Sequence, residues 1–186
     1  MASDIEKLKA AVRQFLDGLG VSLDSKTAEQ TASRVAKAWV DDLVRGYSVD
    51  PEEVLANTWT EGGSEMVVVK DIDFTSVCRD HLLPFRGSAT VAYMPNGRVT
   101  GLSKIADLVD CLSRRLQIQE ALTEEIADAI MIHLKPLGAA CLVKAKHCCV
   151  SARGPRKAQA VVTTLCLKGA FSTDQAYRDK FLQLAR

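Results

Sequence analysis

Thr75-Ser76-Val77-Cys78-Arg79-Asp80-His81-Leu82-Leu83-Pro84-Phe85 runs from an apolar segment into a proline and carries a cysteine and a histidine at Cys-x-x-His spacing. On its N-terminal side, Met66 to Val69 is a short apolar strand that continues by alternation through Ile72 and Phe74. On its C-terminal side, Gly87 to Tyr93 reads as the antiparallel partner. Far downstream comes His147-Cys148-Cys149, followed by Arg153-Gly154. Cys78, His81 and one of the later cysteines would make a Cys/His/Cys ligand set. Such a set suits zinc and can leave a fourth position for water.

Upstream, the pattern is helical. Ile5, Leu8, Val12, Phe15, Leu16 and Leu19 recur at helical spacing until Gly18 and Gly20 stop them. Ser25 is a candidate N-cap for a second helix from about Thr27 to Arg45. Glu61-Gly62-Gly63-Ser64 is the best boundary in the chain, with helices before it and a period of two after it. Residues 1–62 are therefore expected to form an N-terminal helical region and residues 63–186 the catalytic domain. Downstream, Pro95-Asn96-Gly97 is a turn. A helix follows from Ser103 or Lys104 through Leu112, and Arg114 to Glu120 breaks it. Thr123 is a fair cap for a helix closed by Pro136-Leu137-Gly138. Ala139 to Ala145 and Ala160 to Leu167 are the last two strands, and a helix from Thr173 to Leu184 ends the chain. This order predicts an α+β fold with a four-stranded antiparallel sheet and helices on one face. So few strands leave open edges, and closing them against other copies makes a homo-oligomer the expectation.

Composition narrows the function. The chain has 186 residues, 47% of them hydrophobic, enough for one domain with a real core. A net charge of +1 supplies no strong field for nucleic acid or an anionic membrane. Met1 to Lys9 is polar and charged, without the apolar stretch of a signal peptide, and the apolar runs fall far short of a membrane span. Six cysteines in such a chain argue for thiols or metal ligands, and for the cytoplasm. Cys111, Cys141 and Cys166 sit in apolar patterns and read as core thiols. On its own, Glu120 would read as an acid at a helix N-terminus, Trp39 and Trp59 as packing residues.

Four motifs together resemble one family. Cys78 to Gly87, Gly101-Leu102-Ser103-Lys104, Arg114 to Glu120 (Arg-Arg-Leu-Gln-Ile-Gln-Glu) and His147 to Gly154 (His-Cys-Cys-Val-Ser-Ala-Arg-Gly) look like GTP cyclohydrolase I. The resemblance runs from about Thr27 to Phe171. It implies the tunnelling fold, with five subunits joining sheets in a ring, two rings stacking into a decamer, and active sites between subunits. It also implies zinc-assisted hydrolysis of GTP at C8, formate release, and closure of the ribose carbons onto the pyrimidine as 7,8-dihydroneopterin triphosphate, a step toward folate or pterins. By the same resemblance, Cys78, His81 and Cys149 match the zinc ligands and His147 a catalytic proton shuttle. Glu120 matches the carboxylate that holds guanine, with Gln119 beside it. Ser103, Lys104 and Arg153 match groups around the ribose and triphosphate. Arg34 matches an arginine sent into a neighbouring subunit's phosphate site.

The chain departs from the family at three site positions. The family has Cys-Glu-His-His where this chain has Cys78-Arg79-Asp80-His81, so a catalytic histidine is replaced by Asp80 and a glutamate by Arg79. An ordinary aspartate is ionised at neutral pH; Asp80 would serve as a base, or as an acid only if burial raised its pKa. Asp107 stands where the family has an arginine that touches the triphosphate. These changes keep two other readings open. One is a hydrolase that only opens the imidazole or takes a purine nucleotide with fewer phosphates. The other is a non-catalytic nucleotide-binding ring subunit.

Overall fold

The structure, a computed structural model, describes residues 4–60 and 65–186. Met1 to Ser3 and the expected boundary at Glu61-Gly62-Gly63-Ser64 lie outside the described residues. Helix α1 (Ile5–Gly18) is capped by Asp4, whose carboxylate accepts from the Lys7 N–H at 3.0 Å. Helix α2 (Ser25–Ala38) is capped by Asp24, one residue before the expected cap; its carboxylate accepts from Lys26 and Thr27. The helix expected to reach Arg45 ends at Ala38, passing into a π turn (Trp39–Leu43) and a 3-10 turn (Arg45–Ser48). The cause is tertiary: the Gly46 N–H donates to the Arg114 carbonyl at 2.9 Å, and a β-carbon at Gly46 would lie 2.8 Å from that oxygen. Helix α3 (Pro51–Leu55) starts with proline in its first turn and Asp50 as cap.

The remaining elements are β1 (Thr58–Thr60), β2 (Val67–Cys78), β3 (Pro84–Met94), β4 (Arg98–Thr100), α4 (Leu102–Ser113), β5 (Leu116–Gln117), α5 (Gln119–Leu134), β6 (Gly138–His147), α6 (Cys148–Ser151), β7 (Val162–Gly169), α7 (Ala170–Thr173) and α8 (Gln175–Leu184). The main sheet has the order β5-β2-β3-β6-β7, and β1 pairs separately with β4. The four expected strands form its antiparallel body. The expectation of four strands is corrected by β5, which pairs in parallel with the end of β2, Val77 with Leu116 and Cys78 with Gln117. Two residues carry no readable period. Helix α5 also begins four residues before the expected Thr123. That threonine caps nothing; its hydroxyl donates back to the Gln119 carbonyl at 2.7 Å.

Alternation along the strands sorts two cores. Val91, Tyr93, Cys141 and Val143 face α4 and α5, packing with Leu108, Leu122, Ile126, Ile130 and with Leu55 of α3. Each such fully buried Leu or Ile contributes about 1.5–3 kcal/mol. Ala92, Met94, Ala140 and Leu142 face the other way, against Phe171 and Phe181 of α7 and α8. Helices on one face only is therefore corrected: the C-terminal helix covers part of the opposite face, because both alternating sets of β3 and β6 are apolar at that end. No helix among the described residues is long and apolar enough to cross a membrane.

The pairing of β3 with β6 tolerates no added bulk at Gly87. Gly87 lies opposite Ala145. A β-carbon there would overlap the Lys144 carbonyl oxygen and come 2.6 Å from the Ala145 α-carbon, both backbone atoms. Gly87→Ala should destabilise the fold by about 3 kcal/mol, as read by chemical denaturation.

Candidate metal centre and active site

Two strand ends deliver the ligands. Cys78 is the last residue of β2, and its N–H donates to the Leu83 carbonyl at 2.9 Å while its own carbonyl accepts from Leu82 at 2.8 Å. The tight turn between them holds Leu82 at φ +52°, a left-handed conformation unusual for leucine. This turn brings His81 Nδ1 to 3.4 Å from Cys78 Sγ. The third ligand comes from the end of β6. Register pairs His147 with Phe85, and α6 then turns Cys149 back toward the hairpin. The three donor atoms all lie within 4.8 Å of one another.

The donor set fits a divalent metal. Burial first, and then the neighbouring Cys78 sulfur, push the Cys149 thiol above its ordinary range. A bound cation reverses that balance by favouring thiolates and a neutral imidazole. Two sulfurs and one nitrogen select zinc-like ions over calcium or magnesium, which take oxygen. This group could therefore hold a metal with three protein ligands, leaving coordination open.

His147 stands beside this group on a built platform. Its ring stacks on Phe85 with centroids 4.4 Å apart and planes 5° from parallel. Its Nε2 lies 2.8 Å from Gln119 Oε1. Burial lowers its pKa, and the Glu120 carboxylate opposes that shift. Gln119 itself is only 2% exposed, and its amide is engaged with β6, β7 and His147, so it presents no free polar atom to a ligand. Its neighbour Glu120 is exposed and lines a pocket of about 290 Å³ with Thr123, Thr164 and Cys166.

The other expected site residues are placed less closely. Ser103 and Lys104 occupy the first turn of α4, where Lys104 Nζ lies 2.9 Å from Asp107 Oδ2. Arg153 is exposed in the turn after α6, near enough for its charge to act on Cys149. Asp80 is 61% exposed and lies 3.6 Å from Arg79 Nε, so the burial that would make it an acid is not met within the chain. Arg34 is exposed on α2, which packs on α1 and the Trp39–Leu43 turn. Sequence reading missed Phe85 as the platform for His147, and it missed Thr164. The alternation of β7 alone could have placed Thr164 on the α5 side. A larger cavity of about 570 Å³ lies on the opposite sheet face among Asp73, Arg86, Lys144 and Lys146. Among the described residues its lining offers no thiol or imidazole, whereas the Cys78 side offers both.

Comparison with known proteins places the chain among relatives. The family model described as GTP cyclohydrolase I matches residues 8–186. A GTP cyclohydrolase 1 of Chlorobium phaeovibrioides is 43% identical over 186 residues, covering 100% of this chain and 83% of the relative. One from Bacteroides fragilis is 46% identical, covering 98% of this chain and 93% of the relative. One from Desulforamulus reducens is 43% identical and covers 97% of each.

The ligand geometry separates two adjacent cysteines. Cys149→Ser, which removes a donor itself, should weaken metal binding by more than the roughly hundredfold that losing an outer-shell partner costs, measured by metal content after dialysis against a graded chelator. Cys148→Ser, outside the donor group, should retain the metal.

Proposed function

This chain belongs to the GTP cyclohydrolase I family, and from that premise we propose that it hydrolyses GTP at C8 with release of formate, yielding 7,8-dihydroneopterin triphosphate. The observation that carries this reading is the convergence of Cys78, His81 and Cys149 beside a His147 ring held on Phe85. Zinc held by the three ligands would supply Lewis acidity for the attacking water at neutral pH. The remaining steps fall to the chain's own groups. Glu120 accepts from the N1–H and exocyclic amine of guanine, an edge that adenine does not present. His147 moves protons between the opening ring and the ribose. Asp80 serves as a base or as a fixed negative charge beside the opened ring. Ser103, Lys104 and Arg153 hold the ribose and triphosphate, with Arg34 supplied by a neighbouring copy. Helix α4 supports this placement, since its N-cap Gly101 offers no side-chain cap and leaves first-turn N–H groups for an anion.

The assembly is proposed as a decamer of two pentameric rings with the tunnelling fold. The β7 sheet edge and the exposed Phe15 and Leu19, 66% and 60% accessible, support association with further copies.

A second reading rests on the Lys104–Asp107 pair. The carboxylate partly neutralises the lysine meant for phosphate, which favours a purine nucleotide of lower charge. Formate release from GTP by the zinc-loaded protein, with the product mass measured, tests the first reading. A product equal to GTP plus one water would mean that only the ring opens. GTP left intact while GDP or GMP is consumed would favour the second. On the first reading, Asp107→Ala should lower KM for GTP about fivefold, the equivalent of roughly 1 kcal/mol, and His147→Ala should abolish formate release.

A further inference from the structure

The buried amide of Gln119 has a determined orientation. Its nitrogen lies 3.2 Å from the Val143 carbonyl, 3.0 Å from the Val162 carbonyl and 3.1 Å from Thr164 Oγ1. Turned over, the amide would set its oxygen against two carbonyl oxygens, which only accept. A hydroxyl circuit gives the same answer. Thr123 Oγ1 donates to the Gln119 carbonyl at 2.7 Å, which uses its one proton. The Thr164 hydroxyl, 2.6 Å away, must then donate to Thr123, leaving its lone pairs for the Gln119 N–H. Gln119 Oε1 therefore points at His147, and an oxygen cannot donate. The proton between them sits on His147 Nε2. In the neutral ring the bare nitrogen is Nδ1.

We propose that Gln119 is a positioning residue that locks His147 in its Nε2–H tautomer, so that Nδ1 is the nitrogen that exchanges protons with the substrate. This rests on His147 being the proton-handling group of the proposed reaction. It replaces a substrate contact for Gln119 with an action through the ring. Phe85 fixes the plane of the imidazole, and Gln119 removes the remaining rotation within that plane. Thr164 and Thr123 hold Gln119 in turn, so an alignment device runs from β7 through the first turn of α5 to the end of β6. The side chain next to Gln119 points outward, which divides ring alignment and base recognition between consecutive residues.

Two measurements on the zinc-loaded, assembled enzyme test this. Nitrogen-15 spectra of histidine-labelled wild-type protein should show His147 as the Nε2–H tautomer; the chain has three histidines, and a His133→Gln control completes the assignment. Gln119→Met should mix the tautomers and lower kcat for GTP about tenfold or more, with KM and zinc content little changed, and Thr164→Val should move kcat the same way by less. An Nδ1–H ring in the wild type, an unchanged kcat, or a raised KM with kcat retained would overturn the proposal. The tautomer needs neither turnover nor a folded variant, so absence of formate from GTP would sink the proposed reaction and leave this result separately readable.

Discussion

The antiparallel register of β3 on β6 is the constraint on which the site depends. It sets Phe85 opposite His147, and so decides which histidine lies flat on which ring. Because side chains alternate along a strand, slipping this register by one residue would turn His147 to the opposite face and set a lysine on Phe85. The same pairing carries β6 to the point where α6 can return Cys149 to the hairpin. Gly87 lets the two backbones approach closely enough for this to happen. The geometry of the donor group is thus fixed by hydrogen bonds between backbones and by one absent side chain, several residues from Cys78, His81 and Cys149.

Much of this was legible in the chain itself. The amphipathic helices and the four long strands announce themselves because burial imposes a period on ten or so residues at a time. The turn carrying Cys78 and His81 was legible because a Cys-x-x-His between two strands has little room to be anything else; the choice of Cys149 over Cys148 came from the family resemblance. What escaped was short or cooperative. Strand β5 is two residues long, and its existence is set by a partner, the end of β2. The start of α5 follows from β5, so Thr123 was read as a cap when it is a link between a helix and β7. Gln119 read as a ligand contact because only its place beside Glu120 was visible. Its inward direction depends on where the helix begins.

The residues that depart from the family sit in local ion pairs. Asp107 binds Lys104, and Asp80 lies by Arg79. Both pairs are exposed, so each is worth at most about 1 kcal/mol. A charge-assisted bond from lysine to phosphate contributes about 1.5–3 kcal/mol, so Lys104 can exchange its carboxylate for a nucleotide. Asp107 would nevertheless remain beside the anion. In this balance the pairs would weaken a phosphate contact at Lys104 without abolishing it, and neither involves Cys78, His81, Cys149 or the Phe85–His147 stack.

The placement of the ligands also orders the making of the protein. Cys78 and His81 belong to one hairpin, which can form as soon as β3 has left the ribosome. Cys149 follows only after α4, α5 and β6, and it reaches the hairpin only when β6 has docked on β3. A partly folded chain offers a metal two ligands and a loose grip; a finished sheet offers three. The full donor set is therefore complete only once the long-range pairing of β6 with β3 has formed. A metal held by all three residues would thus report on the whole span between the two segments, since the third ligand is in place only where β6 has met β3.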